Sequence, residues 1–202
     1  MLKLLTVLIN LIFPQRKTET LIRATKPVQV NYLYLPGLFN ENIYLCHYRE
    51  KIISAAVIEN KFHNSSHAAF LLANFLNQWH EKQTKRTLYL PIPLGPKRQR
   101  DRGYNQVENI LKKVSSPIEF KSDLLKRQVE TPPQTTLNKT ERVTNVKNVF
   151  ACKLNNIDLS QYQQVVIVDD VVTTGGTLAA AKASLAPHLP AHLTLRCLAI
   201  AH

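Results

Sequence analysis

The stretch Val165–Leu178, VVIVDDVVTTGGTL, is the strongest indication of the fold in this sequence. Val165–Val168 is a short run of β-branched residues, which is the composition of a strand buried on both faces. Asp169 and Asp170 follow directly, and a loop rich in glycine and threonine leads into the good helix formers of Leu178–Leu185. This order of strand, acidic pair, loop and helix predicts two carboxylates and several backbone N–H groups at one edge of a sheet.

The loop after the acidic pair has the chemistry of an anion site. Glycine lets backbone N–H groups approach an anion without a Cβ in the way. The N-terminus of the following helix adds unpaired donors and a partial positive charge, and the threonine hydroxyls add further donors. The residues that we assign to phosphate binding are Val171, Val172, Thr173, Thr174, Gly175, Gly176 and Thr177.

The two carboxylates suit a sugar that carries such a phosphate. Asp169 and Asp170 can accept hydrogen bonds from two sugar hydroxyls, either directly or through Mg²⁺ and its waters. A phosphorylated ribose fits, with its phosphate in the loop and its diol on the acids. The alternative is an ordinary βα turn with a solvated acidic pair. Two adjacent acids followed by two threonines and two glycines are more than such a turn requires.

A second strand and loop carry a cluster of positive charge. Thr87–Pro93 predicts a strand that ends in prolines, Leu94–Gln106 predicts a glycine-containing loop, and Tyr104–Lys113 predicts a helix. The cationic residues of the loop are Lys97, Arg98, Arg100 and Arg102. A guanidinium group binds two phosphate oxygens at once, so beside a ribose site we interpret this loop as the pyrophosphate side. A solvated basic turn is the alternative.

Length, cysteine content and charge bound the class of protein. The 202 residues suffice for one α/β domain with a real core and a small appendage. Cys46, Cys152 and Cys197 are odd in number and form no Cys-x-x-Cys pair, which indicates a reducing, cytoplasmic compartment. The net charge of +12 favours an anionic partner, either phosphates or nucleic acid, with general solubility as the alternative.

The rest of the chain predicts elements around these two loops. Met1–Phe13 is too short to span a bilayer and lacks a signal-peptide cleavage site, so we expect an amphipathic helix that stops at Pro14. Val28–Tyr34 alternates and predicts a strand or a hairpin arm, and Leu35–Asn42 predicts a turn. Further predictions are strands at Ile43–Tyr48, Pro117–Lys121, from Phe150 and at Leu193–Ala201, and helices at Glu50–Phe62, from Asn64 or Ser65 to Trp79, and after Asn138.

Two further features have both a functional and an ordinary interpretation. Gln128–Thr136 contains two prolines and lies among basic residues, so it is a candidate for a mobile lid, with a plain surface excursion as the alternative. His63 and His67 lie at i and i+4, a spacing that can bind a metal. Because no third ligand is evident nearby, we interpret them as surface and capping residues.

Val165–Leu178 resembles the phosphoribosyl pyrophosphate (PRPP) motif of type I phosphoribosyltransferases, and the wider sequence resembles their ComF-like, competence-associated subfamily. The most specific marker is Arg102–Gln106, Arg-Gly-Tyr-Asn-Gln. The other matching positions are Leu11–Pro14, Lys61, Phe62, Pro91–Pro93, Arg98, Gln134, Leu137, Arg142, Asn145, Phe150, Asp169 and Asp170. Many members carry a cysteine-rich zinc finger after the N-terminal Phe-Pro, but Gln15–Lys26 contains no cysteine. We therefore expect no zinc.

The resemblance implies an α/β fold of the type I phosphoribosyltransferase-like (Rossmann-like) kind, with a mainly parallel sheet flanked by helices. It divides the chain into an N-terminal helix and hood-like segment at residues 1–42 and a phosphoribosyltransferase-like domain at residues 43–202. It also implies that Asp169 and Asp170 are the catalytic acids that contact the ribose hydroxyls. The same two side chains are the expected Mg²⁺ ligands, through water.

Two functions from different classes fit these residues. The first is an enzyme that transfers the phosphoribosyl group of PRPP to an unknown acceptor, with Mg²⁺ and with release of pyrophosphate; it is a glycosyltransferase of the pentosyl type. The second is a non-catalytic protein that binds a phosphoribosyl ligand, a nucleotide or single-stranded DNA in natural competence, alone or with competence proteins. Aromatic residues are few and not interleaved with the basic ones, which weakens the DNA reading. We expect no membrane contact, and a homodimer stays open.

Overall fold

The computed structural model describes residues 16–128, 149–154 and 157–202. The strands are β1 (Gly37–Phe39), β2 (Asn42–Cys46), β3 (Thr87–Pro91), β4 (Glu119–Phe120), β5 (Leu125–Arg127), β6 (Phe150–Cys152), β7 (Gln164–Val171) and β8 (Thr194–Ala201). The helices are α1 (Lys17–Ala24), α2 (Lys51–His63), α3 (Ser66–His80), α4 (Pro96–Arg102), α5 (Gln106–Leu111) and α6 (Gly176–Leu185), with 3₁₀ helices at Pro27–Leu33 and Ala186–His188.

One mainly parallel sheet organises these elements. Its strand order is β1-β2-β8-β7-β3-β4, and within it only β1 runs antiparallel to its neighbour. A separate antiparallel pair joins β5 and β6. Helices α2, α3 and α5 pack on one face of the sheet, and α6 packs on the other with the β5–β6 pair. The predicted α/β fold class is confirmed.

The central strand β7 shows why its sequence predicts a doubly covered sheet. Val165 and Ile167 belong to the apolar cluster on the α6 face, whereas Val166 and Val168 belong to the cluster on the α2 and α3 face. All four are 0% exposed. Burial of each such side chain stabilises the fold by about 1.5–3 kcal/mol, so this strand needs apolar residues at every position. The strand continues through Val171, so Asp169 and Asp170 lie near its carboxyl end.

The chain changes direction at the middle of the sheet. From β3 the chain passes through α4 and α5 to β4 on one side, whereas from β7 it passes through α6 to β8 on the other side. The carboxyl ends of β3 and β7 therefore flank a topological switch point, where α/β proteins bind ligands. Both loops that the sequence assigns to anions leave the sheet at this point.

The predicted elements around the site are largely confirmed. Strand β2 lies within Ile43–Tyr48 apart from its first residue, α2 matches Glu50–Phe62 within one residue at each end, and β8 lies within Leu193–Ala201. Ser65 is the N-cap of α3, where its Oγ accepts a hydrogen bond from the Ala68 N–H at 3.2 Å. A serine at this position satisfies one of the unpaired donors of the first turn.

The strand prediction for Val28–Tyr34 is wrong, because Pro27–Leu33 forms a 3₁₀ helix. Val30 and Leu33 are buried three residues apart, while Val28 and Tyr32 are 71% and 75% exposed. This is the spacing of a 3₁₀ helix, in which i and i+3 eclipse, and not the alternation of a strand. Pro27 sets the helical φ at the first position, where its missing N–H costs nothing.

Two loop predictions also need correction. Leu35–Asn42 contains the short strand β1 and a two-residue turn at Asn40 and Glu41, both with positive φ, so it forms a hairpin with β2. The basic stretch Leu94–Gln106 contains helix α4, which begins at Pro96 and ends at the left-handed Gly103. Pro96 at the start and Gly103 after the end are ordinary signals of a helix. The loop prediction gave more weight to the density of positive charge than to these two residues.

Some predictions lie outside the described residues or stay untested. The helix at Met1–Phe13, the helix after Asn138 and all but the first residue of the candidate lid Gln128–Thr136 lie outside them. The boundary between residues 42 and 43 stays a prediction. Within residues 16–42, Ile22, Val30 and Leu33 are buried in the same apolar cluster as α2 and α3.

A buried ion pair joins α1 to α2. Glu59 is 1% exposed, and its carboxylate accepts two hydrogen bonds from the Arg16 guanidinium, at 3.0 and 2.8 Å, and one from Thr18 Oγ1 at 2.6 Å. The hydrogen bonds from Arg16 lower the pKa of Glu59 despite its burial. The segment before α2 is therefore held to the main body through a charge that needs its partner.

We expect Arg16→Ala to lower the free energy of unfolding at neutral pH, because Glu59 keeps a buried charge without its main donor. Arg23→Ala is the matched control, since it removes a more exposed ion pair with Glu19, at 2.7 Å, and should cost less than about 0.5 kcal/mol. Urea unfolding measures both. Equal losses would remove the Arg16–Glu59 pair from its structural role.

The same pair makes a prediction about pH. The folded-state pKa of Glu59 is lowered, so the stability from this carboxylate is present above its unfolded pKa and is lost as pH falls through the folded value. The difference between wild type and Arg16→Ala should therefore shrink as pH falls from 7 toward 3. A difference that stays constant over this range would contradict the assignment.

Candidate functional site: a cleft at the switch point

An open cleft of about 1150 Å³ lies at the carboxyl ends of the central strands. One wall comes from the end of β7 and the loop after it, and the opposite wall comes from the end of β3 and from α4. Helix α2 and the segment after β2 close the sides. The predicted site residues that line this cleft are Arg98, Arg102, Asp169, Asp170, Val171, Val172, Thr173 and Thr177.

The acidic pair lies on the floor of the cleft. Asp169 Oδ1 accepts the backbone N–H of Asp170 at 2.8 Å, and Asp170 Oδ1 accepts the N–H of Val171 at 3.1 Å. Asp170 is 3% exposed, yet among the described residues its Oδ2 has no hydrogen-bond partner. The nearest cation is Lys61 Nζ at 3.7 Å. A buried carboxylate oxygen without a donor is costly, so it marks a place where a ligand can supply one.

The electrostatics of the pair favour a positively charged or hydrogen-bonding ligand. Burial raises the pKa of Asp169 well above its usual range, and the neighbouring charge of Asp170 raises it further. The Lys61 ammonium acts in the opposite direction. Two adjacent carboxylates at the base of a cleft therefore resist carrying two charges on their own.

This donor set fits the Mg²⁺ that the sequence resemblance implies. Mg²⁺ prefers oxygen ligands, keeps several waters and binds through one or two carboxylates together with substrate phosphates. Asp169 and Asp170 supply two carboxylates, and Asp170 Oδ2, which lies 3.7 Å from Lys61 Nζ but accepts no hydrogen bond from the described residues, could accept one from a metal-bound water. Within residues 16–128, 149–154 and 157–202, no group of three or more His, Cys, Asp or Glu side chains forms a metal cage.

The glycine- and threonine-rich loop forms a small cradle beside the acids. Its residues enclose a space of about 30 Å³ between the end of β7 and the start of α6. Gly175 adopts φ +81°, the left-handed conformation that favours glycine, and Gly176 begins α6. The Gly176 N–H donates to Thr174 Oγ1 at 3.4 Å. The cradle therefore lies at a helix N-terminus, where unpaired backbone N–H groups favour an anion.

The β1–β2 hairpin supports this cradle from outside. Asn40 Nδ2 donates to the Thr174 carbonyl at 3.4 Å, and Lys182 of α6 pairs with Glu41 at 3.2 Å. Asn42 is buried and donates through Nδ2 to the carbonyls of Phe39 and Asn40. The hairpin turn thus fixes the loop in place through contacts between residues far apart in sequence.

Gly175→Ala should destabilise the protein more than Gly103→Ala. Both glycines have positive φ, +81° and +76°, so alanine costs about 1–2 kcal/mol of backbone strain at each. A Cβ at Gly175 would also lie 2.9 Å from Asn42 Nδ2, whereas nothing lies within 4 Å at Gly103. We expect an additional loss of about 1 kcal/mol in urea unfolding for Gly175→Ala. Equal losses of unfolding free energy in the two variants would show that Asn42 of the hairpin leaves room for a Cβ at position 175.

The basic wall contains only some of the predicted cations. Arg98 and Arg102 lie four residues apart on α4, so they share one face, and both line the cleft. Lys97 and Arg100 belong to other faces of the helix and are not among the residues that line it. Arg102 donates to Gln106 Oε1 at 2.6 Å and lies over the Phe62 ring at 5.5 Å.

The Arg-Gly-Tyr-Asn-Gln string holds this wall in position. Asn105 caps α5 by accepting the Val107 N–H at 2.8 Å, and its Nδ2 donates to the Ile92 carbonyl at the end of β3. Tyr104 Oη donates to the Lys61 carbonyl at 3.0 Å. The string therefore joins α4, β3 and α2, the three elements that bring the arginines, the sheet edge and Lys61 to one cleft.

Sequence reasoning missed several side chains of the cleft. Lys61 appeared only as a matching position of the resemblance, although it is the cation nearest to Asp170. Tyr44, His47 and His202 also line the cleft, and no local pattern announced them. His67, by contrast, contacts the Thr25 carbonyl at 2.8 Å, which accords with its structural interpretation.

The mainly parallel sheet, with an acidic pair and a glycine- and threonine-rich loop at its switch point, defines an α/β protein with a candidate ligand-binding cleft. In the described part of the chain, no helix combines the length and the apolar character needed to cross a membrane. Comparison with protein-family models gives no match.

Comparison with curated proteins finds homologues of the ComF-like kind. The chain is 35% identical over 91 residues to Competence protein F of Haemophilus influenzae, covering 44% of this chain and 39% of that protein. It is 32% identical over 136 residues to DNA utilization protein YhgH of Escherichia coli strain K12, covering 63% of this chain and 58% of that protein. The matches thus span less than two thirds of either relative, and they confirm the resemblance to ComF-like proteins.

Among solved structures, the chain is similar to a hypoxanthine phosphoribosyltransferase from Staphylococcus aureus. The sequence identity is 14%, the match covers 70% of each chain and the TM-score is 0.40. The α/β fold is assigned from the strand order and from the position of the loops, independently of this distant likeness.

Proposed function

We propose that this protein binds PRPP with Mg²⁺ and transfers its phosphoribosyl group to an acceptor, with release of pyrophosphate. The observation that carries the proposal is the Asp170 carboxylate, which is buried at the floor of the cleft and has one oxygen without a hydrogen-bond partner in the described structure. A buried acid left in this state is typical of a site whose ligand supplies the missing donor.

Three parts of the cleft match three parts of the ligand. The loop from Thr173 to Thr177 would take the 5′-phosphate, because it borders a small cavity at the N-terminus of α6, where unpaired backbone N–H groups favour an anion. Asp169 and Asp170 would accept the ribose hydroxyls. Arg98 and Arg102 would face the pyrophosphate from the opposite wall, where guanidinium groups bind phosphate oxygens in pairs.

The transfer needs positioning and electrostatic stabilisation more than a protein nucleophile. As the C1–O bond breaks, positive charge develops on the ribose ring and negative charge on the departing pyrophosphate. In this arrangement the carboxylates would face the ribose, and the two arginines, which line the cleft with them, would face the pyrophosphate. Asp169 and Asp170 would hold Mg²⁺ through water, and the ion would neutralise part of the pyrophosphate charge.

The direct test is pyrophosphate release from PRPP with Mg²⁺ and a panel of purine and pyrimidine bases. We expect release that depends on both Mg²⁺ and one acceptor, and that stops when EDTA removes the metal. If PRPP binds but no acceptor gives release above the rate in water, transfer to a nucleobase is excluded. If PRPP does not bind at all, the whole assignment fails.

A second candidate is a DNA-binding role in natural competence without turnover. The specific observations in its favour are the net charge of +12 and the names of the relatives, which refer to competence and DNA utilization. Neutralising phosphates with Lys and Arg makes such binding strongly salt-dependent. Titration of fluorescent single-stranded DNA at several salt concentrations tests it. DNA affinity that is unaffected by saturating PRPP would separate this role from the cleft.

A further inference from the structure

His202 lies at the end of β8, and its backbone is fixed on both sides. Its N–H donates to the Cys46 carbonyl at 3.1 Å, and its carbonyl accepts the Tyr48 N–H at 2.8 Å. The imidazole stacks on the Phe39 ring, with 4.0 Å between centroids and 24° between planes. The ring therefore has one well-defined orientation at the edge of the cleft, which it lines.

One ring nitrogen of His202 has a fixed role. Nδ1 lies 3.1 Å from the Val172 carbonyl oxygen, and because a carbonyl only accepts, Nδ1 must carry the proton. In the neutral ring, Nε2 then holds a lone pair. Among the residues that the structure describes, no hydrogen-bond partner engages Nε2. His202 Nε2 is thus a potential proton acceptor, and the Val172 carbonyl sets the tautomer of the ring.

The strand order of the sheet places His202 on a particular side of the acidic pair. Because β7 lies between β8 and β3, His202 and the two arginines stand on opposite sides of the acidic pair. Neighbouring strands are about 4.8 Å apart, so the two groups flank a ribose seated over the end of β7. A leaving group held by Arg98 and Arg102 would depart to one side, and a nucleophile would approach from the side of His202.

We propose that His202 Nε2 accepts the proton of the incoming acceptor during phosphoribosyl transfer. This inference rests on the proposed function and adds a residue to it. The acceptor nitrogen or oxygen forms a bond to C1, its proton passes to Nε2, and the C1–O bond breaks with its electron pair leaving on pyrophosphate. The imidazolium then returns the proton to solvent, so atoms and charge balance without a further reactant.

Other ionisable groups near the ring define the competing assignments. Tyr44 lies 5.3 Å from the His202 ring, and His47 lies 5.4 Å from Tyr44. Asp169 and Asp170 face the same cleft from β7. No contact in the described structure fixes the tautomer of His47, which is why the inference selects His202.

His202→Asn is the sharpest variant, since the asparagine amide can replace Nδ1 as donor to Val172 while no acceptor replaces Nε2. We expect the PRPP dissociation constant to change less than about threefold and transfer to fall about 100- to 1000-fold, the usual contribution of a positioned base. His188→Asn, an exposed histidine in the 3₁₀ helix Ala186–His188, is the control and should leave both unchanged. Transfer within about threefold of wild type in His202→Asn, or its loss only in His47→Asn, would overturn the inference.

A second measurement decides the matter before any acceptor is known. Nitrogen NMR of histidine-labelled protein at alkaline pH should show protonated Nδ1 and unprotonated Nε2 at His202, assigned by comparison with His202→Asn. The opposite tautomer would overturn the inference even if PRPP binds. If His202 has the expected tautomer but PRPP does not bind, the proposed function is overturned. The role of His202 as proton acceptor in that transfer is then overturned as well.

Discussion

The double variant Asp169→Asn and Asp170→Asn should abolish the Mg²⁺-dependent binding of PRPP that we propose. Asp170 is buried and Asp169 is half-buried at the floor of the cleft, and Asp170 Oδ2, 3.7 Å from Lys61 Nζ, accepts no hydrogen bond from the described residues. Amides of the same shape neither attract a hydrated cation nor accept as strongly from two hydroxyls. We expect a loss of affinity of at least about 100-fold by calorimetry, at the upper end of what ligand and supporting groups of a metal site contribute.

The fold should survive this change and gain stability. Burial and the neighbouring charge of Asp170 raise the pKa of Asp169, so the ligand-free protein is destabilised by carrying both charges at neutral pH. Removing the charges should raise the melting temperature while binding is lost, which is the signature of a site and not of a structural pair. Asp123→Asn, an exposed aspartate outside the cleft, is the control for both measurements. Unchanged PRPP affinity in the double variant would sink the assignment.

Replacing Arg98 and Arg102 with alanine should weaken the proposed binding of PRPP but spare that of ribose 5-phosphate. The two guanidinium groups share one face of α4 across the cleft from the phosphate loop, so only the pyrophosphate reaches them in our proposal. A charge-assisted hydrogen bond is worth about 1.5–3 kcal/mol, so loss of PRPP affinity by about 10- to 100-fold is expected for each arginine. The affinity for ribose 5-phosphate should change less than about threefold.

Arg100→Ala provides the matched comparison, because Arg100 has the same charge on the same helix but does not line the cleft. Its effect should be limited to general electrostatic attraction, which added salt screens. Equal losses for PRPP and ribose 5-phosphate in Arg98→Ala would remove this arginine from the pyrophosphate role. An Arg100→Ala loss as large as that of Arg98→Ala would show that net charge, and not position, attracts the ligand.

The central strand and the ligand loop were predictable because their signals are local. Four consecutive β-branched residues require cover on both faces, and the structure provides it. The glycines at 175 and 176 mark the turn into α6 whatever the rest of the chain does. Val28–Tyr34 failed because alternation over seven residues does not separate a strand from a 3₁₀ helix when only two of them are buried.

The other contacts of the cleft depend on distant parts of the chain. Lys61 reaches Asp170 only because α2 packs over β7, and Tyr104 holds the Lys61 backbone through a third element. His202 meets Val172 because β8 pairs with β7 in parallel, so the ends of the two strands coincide. Composition around Lys61 or His202 contains no trace of these partners, since tertiary packing creates them.

The most direct test of the central claim is calorimetric titration of the protein with PRPP, with and without Mg²⁺, beside ribose 5-phosphate and a short single-stranded DNA. We predict binding of PRPP that depends on Mg²⁺ and is tighter than that of ribose 5-phosphate, because only PRPP engages the acids, the loop and the arginines together. Binding of single-stranded DNA with no heat from PRPP under either condition would contradict it, and the cleft would then be only a scaffold for a DNA-binding surface.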